Sequence, residues 1–387
     1  MSAHVAFSSH PYAAQAAGEC VGHLVEVGAS GADLVLVVVT PPFAEQLGDV
    51  SELVRQVLAP RSVLGVATGG VLVGDDEIID GPALGILTWT SADPSTRIHL
   101  VEGRDAAELA HSLATAPGDA LVLFADPFTV PAGPLLQVLD DPSVPQVLSG
   151  GHVVGSARPG GNRMVIDGEL RTEGVVGLVL EHAGVTSLRC VGGAPVGAPL
   201  AVTSSAGADI LELDHRGALA VYEEMLVDLQ LELDLLTAVQ TGVLGLCRLD
   251  EGPFDPLERD HLGSVAVRAV DPSTGALRCD PPLVTGDRVV FELFDAWSTT
   301  SDLGRRLGTL GWPDGEQGLL VVSDLGRAHR LAFGGAESIL SLTSDVPGSA
   351  ALGLVTSTVL HRRDGVATFD HDLVTVTVAG PARPPSS

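Results

Sequence analysis

Apolar positions in residues 11–27 fall on one helical face: Ala13, Ala16, Ala17, Cys20, Val21 and Leu24 recur at i, i+3, i+4, i+7, i+8 and i+11. Ser9 is placed to cap this helix, Pro11 suits its first turn and Gly28 ends it. The pattern then changes period. Asp33 to Thr40 reads DLVLVVVT, a β-branched run without polar alternation, which predicts a strand buried on both faces. A second helix is predicted over about 43–58, with Val50, Leu53, Val54, Val57 and Leu58 on one stripe. Strands at about 62–67 and 82–89 follow, separated by a glycine turn at Gly69-Gly70.

This order of helix, strand, helix, strand, turn and strand recurs. The second copy has helices at about 104–115 and 132–140, a strand at 121–125, a glycine turn at Gly150-Gly151 and a strand at 174–181. The strands that begin near Asp33 and Asp119 lie 86 residues apart, as do Gly65 and Gly151. A third copy has helices at about 300–310 and 336–343, strands at 318–323, 351–357 and 372–379, and an extra hairpin from Gly326 to Gly335. Matching order at matching spacing predicts duplication of a β-α-β-β unit. Between the second and third copies, Leu219, Tyr222, Leu226, Leu229, Leu233 and Leu236 mark a long helix at about 216–238. Asp214 is placed to cap it. Ser264–Val270 and Arg288–Leu293, around the turn sequence Asp271 to Gly275, predict antiparallel structure.

Composition narrows the chemistry. The chain has 387 residues, 49 acidic and 21 basic, with a formal net charge of −28; every basic residue is arginine. The absence of lysine excludes Schiff-base chemistry, the P-loop lysine and the kinase strand lysine. The negative charge disfavours nucleic acid and anionic membranes as partners. No basic leader or span-length apolar run is visible, and the expected location is cytoplasmic. Cys20, Cys190, Cys247 and Cys279 lack zinc or CxxC spacing and read as buried thiols.

Three glycine loops are the first candidates for a site: Gly65 to Gly70, Gly150 to Gly155 and Gly192 to Gly197. None has the GxGxxG spacing. They read either as backbone cradles for a small anionic or zwitterionic ligand, or as tight turns and close strand packing. There is no GxSxG elbow around Ser204-Ser205. Cys190 beside Arg189 is the best nucleophile candidate, against the plainer reading of a structural thiol. His361 to Asp364 with Asp370 to Asp372 form the densest ionisable cluster, without zinc spacing. Asp75-Asp76-Glu77 is a turn-borne charge run, solvated or able to meet a ligand amine.

The ordered blocks resemble the FIST family, the F-box and intracellular signal transduction domain. Gly65-Val-Ala-Thr-Gly-Gly-Val-Leu-Val-Gly74, Glu77 and Gly81 to Gly85 resemble its first block. Gly150-Gly151, Val191 to Pro199, Val202-Thr203 and Leu211 to Asp214 are similar to later blocks of the N-terminal half. Ser323-Asp-Leu-Gly-Arg327 with Phe333-Gly334 resembles a block of the C-terminal half. Val66-Ala67, Gly192 to Pro195, Asp324 and Ser357-Thr358 depart from family cysteine, arginine and glutamate positions, whereas Glu77 and Arg327 are retained charges.

The resulting expectation is an α/β protein of two lobes, its mixed sheets covered by helices and built from repeated β-α-β-β units. Residues 1–208 form a FIST N-like domain, 209–380 a FIST C-like domain and 381–387 a disordered tail. The resemblance implies a non-enzymatic sensory module without a cofactor, binding an amino-acid-like polar metabolite between the lobes and signalling through a separate protein. The expected ligand-binding residues are Gly65, Thr68, Gly69, Gly70, Glu77, Gly151, Gly192, Gly193, Asp324, Gly326 and Arg327. An interaction scaffold with a degenerate site is the alternative, and a thiol hydrolase using Cys190 a further one.

Overall fold

The computed structural model describes residues 2–74, 76–79, 81–191, 193–249, 252, 263–294, 303–308, 317–326, 349–363, 365–370 and 373–379. The chain divides into two compact units. The described part of the first runs up to Cys190 and resumes from Leu303; that of the second lies between Val191 and Phe294.

The first unit opens with β1 (Ser2–Ser8), α1 (Ala13–Glu26), β2 (Leu34–Val39), a 3-10 turn (Pro41–Gln46), α2 (Leu47–Leu58), β3 (Ser62–Ala67), the hairpin β4 (Val71–Val73) and β5 (Asp76–Ile78), and β6 (Leu84–Thr90). A second round repeats the order: β7 (Arg97–Gly103), α3 (Ala106–Leu113), β8 (Ala120–Ala125), α4 (Ala132–Leu139), β9 (Val147–His152), the hairpin β10 (Met164–Ile166) and β11 (Glu169–Arg171), and β12 (Val175–Glu181). A third round starts with β13 (Val185–Val191) and is then interrupted by the second unit.

The second unit contains β14 (Ala194–Ala206), β15 (Asp209–Leu213), β16 (Arg216–Gly217), α5 (Ala218–Asp228), α6 (Leu235–Thr241), β17 (Leu244–Leu249), β18 (Gly263–Asp271), β19 (Ala276–Asp280) and β20 (Arg288–Leu293). The third round resumes with a helical segment at 303–308, β21 (Gln317–Asp324), β22 (Ser349–Thr356), the hairpin β23 (Val359–Arg363) and β24 (Val366–Asp370), and β25 (Leu373–Ala379).

Each round supplies a parallel pair, β2/β3, β8/β9 and β21/β22, flanked by an antiparallel strand, β6, β12 and β25. The hairpins are exchanged. The sheet orders are β1-β6-β2-β3-β10-β11, β7-β12-β8-β9-β23-β24 and β13-β25-β21-β22-β4-β5. Each round therefore completes another round's sheet, in a closed cycle of three. The registers align the rounds. Val165 of one hairpin faces Gly65, and Leu72 of another faces Gly353. Gly65, Gly150 and Gly353 sit in turn opposite Val37, Leu123 and Val321. At Gly65 and Gly353 a side chain would crowd the incoming hairpin, with a Cβ on Gly353 2.7 Å from that of Leu72, whereas Gly150 has a φ of 114 and a Cβ there would strike Leu123 of β8.

The apolar strands serve two faces, as their unbroken hydrophobic runs require. Val35, Val37 and Val39 pack with Ala17 and Leu24 of α1 and with Leu47 and Val54 of α2. Leu34 and Leu36 point to the opposite side, with Leu64 and Leu87. In the second round Leu121 and Leu123 meet Leu109, Leu135 and Leu139 on the helices.

The second unit is antiparallel. β14-β20-β17-β18-β19-β15 form a ring closed by pairing of β14 with β15, and β16 extends β15. β14 closes it by pairing through Ala194–Ala201 with β20 and through Val202–Ala206 with β15. Tyr222 of α5 anchors the helices on this core: it is fully buried, edge-on to Phe291, and its hydroxyl donates to Leu244 O at 3.0 Å.

Several expectations change. The long helix at 216–238 is two helices, because Gln230 adopts the left-handed conformation (φ 55) after α5. Asp214 does not cap it: its carboxylate accepts from Ala201 N at 2.8 Å, and Gly217 holds the cap position. Ser9 likewise is not the cap of α1, where Tyr12 stands. Gly150-Gly151 is part of β9 and not a turn. The hairpin of the third round is Val359–Asp370; the helix expected at 336–343 and the hairpin expected between Gly326 and Gly335 fall outside the described residues, apart from Gly326 itself. By contacts the first unit is left after Cys190.

Candidate functional site

The carboxyl ends of the three parallel pairs carry a group of buried polar side chains, Thr40, Thr68, Asp126, His152, Asp324 and Thr356 among them, in the position where open α/β sheets bind ligands. Register alignment makes Thr40, Asp126 and Asp324 equivalent, each just beyond or at the last residue of its strand. The backbone repeats too: Thr40 N donates to Ala83 O at 3.0 Å and Asp126 N to Gly174 O at 2.8 Å.

The three positions are used differently. Thr40 Oγ1 accepts from Ala83 N at 2.8 Å, a tie across the sheet. Asp126, fully buried, accepts from Thr129 Oγ1 and from Asn162 Nδ2, both at 2.7 Å. Asn162 in turn accepts from Ser156 N at 2.9 Å, and Thr129 Oγ1 accepts from Gly174 N at 2.8 Å. This carboxylate thus pins the long connection after β9. Asp324 is 2% exposed, beside Ser323 and Thr356, whose hydroxyl donates to Ser323 O at 3.4 Å.

Thr68-Gly69-Gly70 is stitched to β22: Gly69 N donates to Val355 O at 2.8 Å, Val355 N to Gly70 O at 3.1 Å, and Thr68 Oγ1 to Gly70 O at 2.9 Å. A Cβ on Gly69 would come within 2.9 Å of Val154 Cγ1 and 3.1 Å of Leu325 Cδ1. The three rounds therefore meet at this point, one residue from each. Gly65, Gly70 and Gly151 are also hemmed in, by Val165, by Ile78 O and by Thr356 and Thr358 in turn. His152, next to Gly151, is 6% exposed; its Nδ1 lies 3.0 Å from Thr358 Oγ1 and its ring stacks on Phe369 at 4.3 Å.

The expected site residues are brought together in part. Gly65, Thr68, Gly69, Gly70, Gly151, Asp324 and Gly326 belong to these carboxyl ends or their connections. Glu77 is half-buried on β5, opposite Leu72, in the same sheet as Asp324. Gly193 lies in the second unit against Glu292. Gly192 and Arg327 lie outside the described residues. Sequence reasoning passed over Asp126, Asn162 and His152. The 86-residue spacing that relates Thr40 to Asp126 was the signal that could have found the first.

The other candidates are placed as follows. All four cysteines are buried thiols, and burial pushes those of Cys20 and Cys279 up to about 12. His361 Nε2 lies 2.8 Å from Asp370 Oδ2; Asp364, His371 and Asp372 are outside the described residues. Among the described residues no three histidine, cysteine or carboxylate side chains are grouped to hold a metal.

Against known proteins one likeness lies in the stretch that contains most of these ends. Residues 33–216 match the FIST N domain. That family is a sensory domain family and not an enzyme family. The FIST N match runs from the start of β2 through β16, so it takes in two complete parallel pairs and the first strands of the second unit. Similarity to whole proteins extends further. An uncharacterized protein of Mycobacterium tuberculosis is 27% identical over 357 residues, covering 90% of this chain and 91% of the relative. An uncharacterized Mycobacterium bovis protein is 26% identical over 351 residues, covering 88% and 89%. No described helix is long and apolar enough to cross a membrane.

Proposed function

We propose that the chain is a small-molecule-binding sensory module that takes a polar, amine-bearing metabolite of amino-acid type at the carboxyl ends of the parallel strands in the first unit. The observation that carries this reading is Asp324: a buried carboxylate at the end of a strand, where three chain connections converge on Gly69. Asp324 holds the ligand amine by a charge-assisted hydrogen bond, with Glu77 adding negative charge in the same sheet. Arg327 receives the ligand carboxylate. The module works in the cytoplasm and passes its state to a separate signalling protein. The match to a sensory domain family and the absence of any lysine-dependent chemistry support a binding role over a catalytic one.

A second reading is favoured by the glycines. Gly69, Gly70 and Gly151 face packed protein atoms where a cradle would leave space, which suits a scaffold whose ligand site has closed. A thermal-unfolding screen against amino acids, amines, organic acids and nucleotides separates the two. A ligand at ten times its dissociation constant adds about 1.4 kcal/mol of stability. A saturable shift for amine-bearing compounds is expected; no shift for any class, on protein that unfolds cooperatively, favours the scaffold.

A further inference from the structure

At the amino ends of the same strands the first unit holds a partly open cavity of about 60 Å³. Its wall follows the threefold repeat. Leu36, Val122 and Leu320 line it from equivalent positions of β2, β8 and β21. Their cross-strand partners Leu87, Leu178 and Thr377 line it as well. The next step along each partner strand adds Trp89, Leu180 and Ala379. All three sheets contribute alike, so the cavity lies where their inner faces converge.

Two features break the symmetry. Thr377 stands where the other rounds have leucine, and its hydroxyl is buried with no hydrogen-bond partner. Trp89 stands where the others have leucine and alanine, and its indole Nε1 is also buried and unpartnered. The indole fits because its neighbour is Gly318, whose Cβ would lie 3.0 Å from Trp89 Cδ1. The two residues are 5% and 4% exposed. Orphaned buried donors cost stability and call for a partner. Among the described residues no charged side chain lines the cavity.

We propose that this cavity is a binding site for a small neutral molecule, mostly hydrocarbon, with one hydroxyl or carbonyl oxygen: a short alcohol, aldehyde or ketone. The oxygen accepts from Trp89 Nε1–H and meets the Thr377 hydroxyl, while the leucine and valine wall takes the hydrocarbon. An uncharged wall excludes carboxylates and amines, which would lose their hydration without a counter-charge. Size sets the upper limit, since a cavity of ~150 Å³ is known to take benzene and one of under half that volume accepts roughly two to four heavy atoms. The site is independent of the polar site proposed at the opposite strand ends.

The test uses the full chain with methyl-labelled leucine and valine, titrated with propan-1-ol and, separately, equilibrated under xenon. Saturable shifts confined to the methyls of Leu36, Val122, Leu178 and Leu320 are expected with both probes. Thr377→Val, which keeps the shape, should weaken propan-1-ol roughly threefold to tenfold and leave the xenon response unchanged. Ala379→Leu should fill the space and remove both responses. Shifts that grow without saturation or spread over the molecule overturn the site. A xenon response without a propan-1-ol response overturns the ligand class, as does equal alcohol affinity in Thr377→Val.

Discussion

The two ends of the strands in the first unit are built from the same repeated positions, yet they are opposite in chemistry. At the amino ends the described residues lining the cavity are nearly all leucine, valine or alanine, and among them Trp89 and Thr377 bring polar side-chain atoms. At the carboxyl ends the equivalent positions are Thr40, Asp126 and Asp324, all buried. Polar groups survive burial there because backbone and side-chain partners meet them, as the four bonds around Asp126 and Asn162 illustrate. A repeat fixes backbone and packing in three places at once. The copies differ in their side chains: the carboxylate of the second round holds a loop, and that of the third is the one proposed for ligand.

The sharpest way to break this comparison is Asp126→Ala. Losing the carboxylate strands the Asn162 amide and the Thr129 hydroxyl in a buried network, and the variant should lose about 3 kcal/mol in denaturant unfolding. A loss no larger than that of an average surface substitution would contradict its role as the pin of the connection after β9.

The hairpin exchange is tested next. Gly353→Ala pushes a Cβ to 2.7 Å from Leu72, whereas in Gly65→Ala the nearest atoms are at 3.1–3.3 Å. The first should cost about 1–3 kcal/mol by overpacking and the second measurably less. The reverse order in a stability measurement would mean that the two hairpins do not seat alike.

The smallest effect concerns the surface. Arg104 bonds Glu108 through its guanidinium and backbone N–H, holding the Glu108 carboxyl down at about 2. A lowered folded pKa contributes stability above the unfolded value of about 4.5 and loses it as pH falls toward 2. Glu108→Gln should therefore flatten the stability profile slightly between those values, an effect kept small by solvent screening. An unchanged acid limb would assign that slope to other carboxylates, such as Asp271 in its turn, also held at about 2 by Ser273.

Local patterns in the chain carried much of this fold. Ala13 to Leu24 has a helical period, Asp33 to Thr40 and the strand at 62–67 are short β-branched apolar runs, and the 86-residue spacing exposed the repeat. The hairpin exchange was invisible because β4, β5, β10 and β11 are three residues each, and which sheet they join depends on contacts far along the chain. Gly150-Gly151 reads as a turn for the same reason: the atoms that crowd Gly151 inside β9 belong to Thr356 and Thr358, about 200 residues further along the chain. The break at Gln230 was hidden by leucines that keep helical spacing across it. At the site, Thr68, Gly69 and Asp324 were legible as a family-like pattern, whereas Asp126 and Asn162 needed the register to bring them together.

The measurement that bears most directly on the sensory reading is a calorimetric titration of the full chain and of Asp324→Asn with the amine-bearing compound that most raises the unfolding temperature. Asparagine keeps the size and removes the charge. The account predicts saturable binding to the unaltered protein and at least tenfold weaker binding to the variant, with both folded to the same extent. Equal affinity for the two proteins would contradict it.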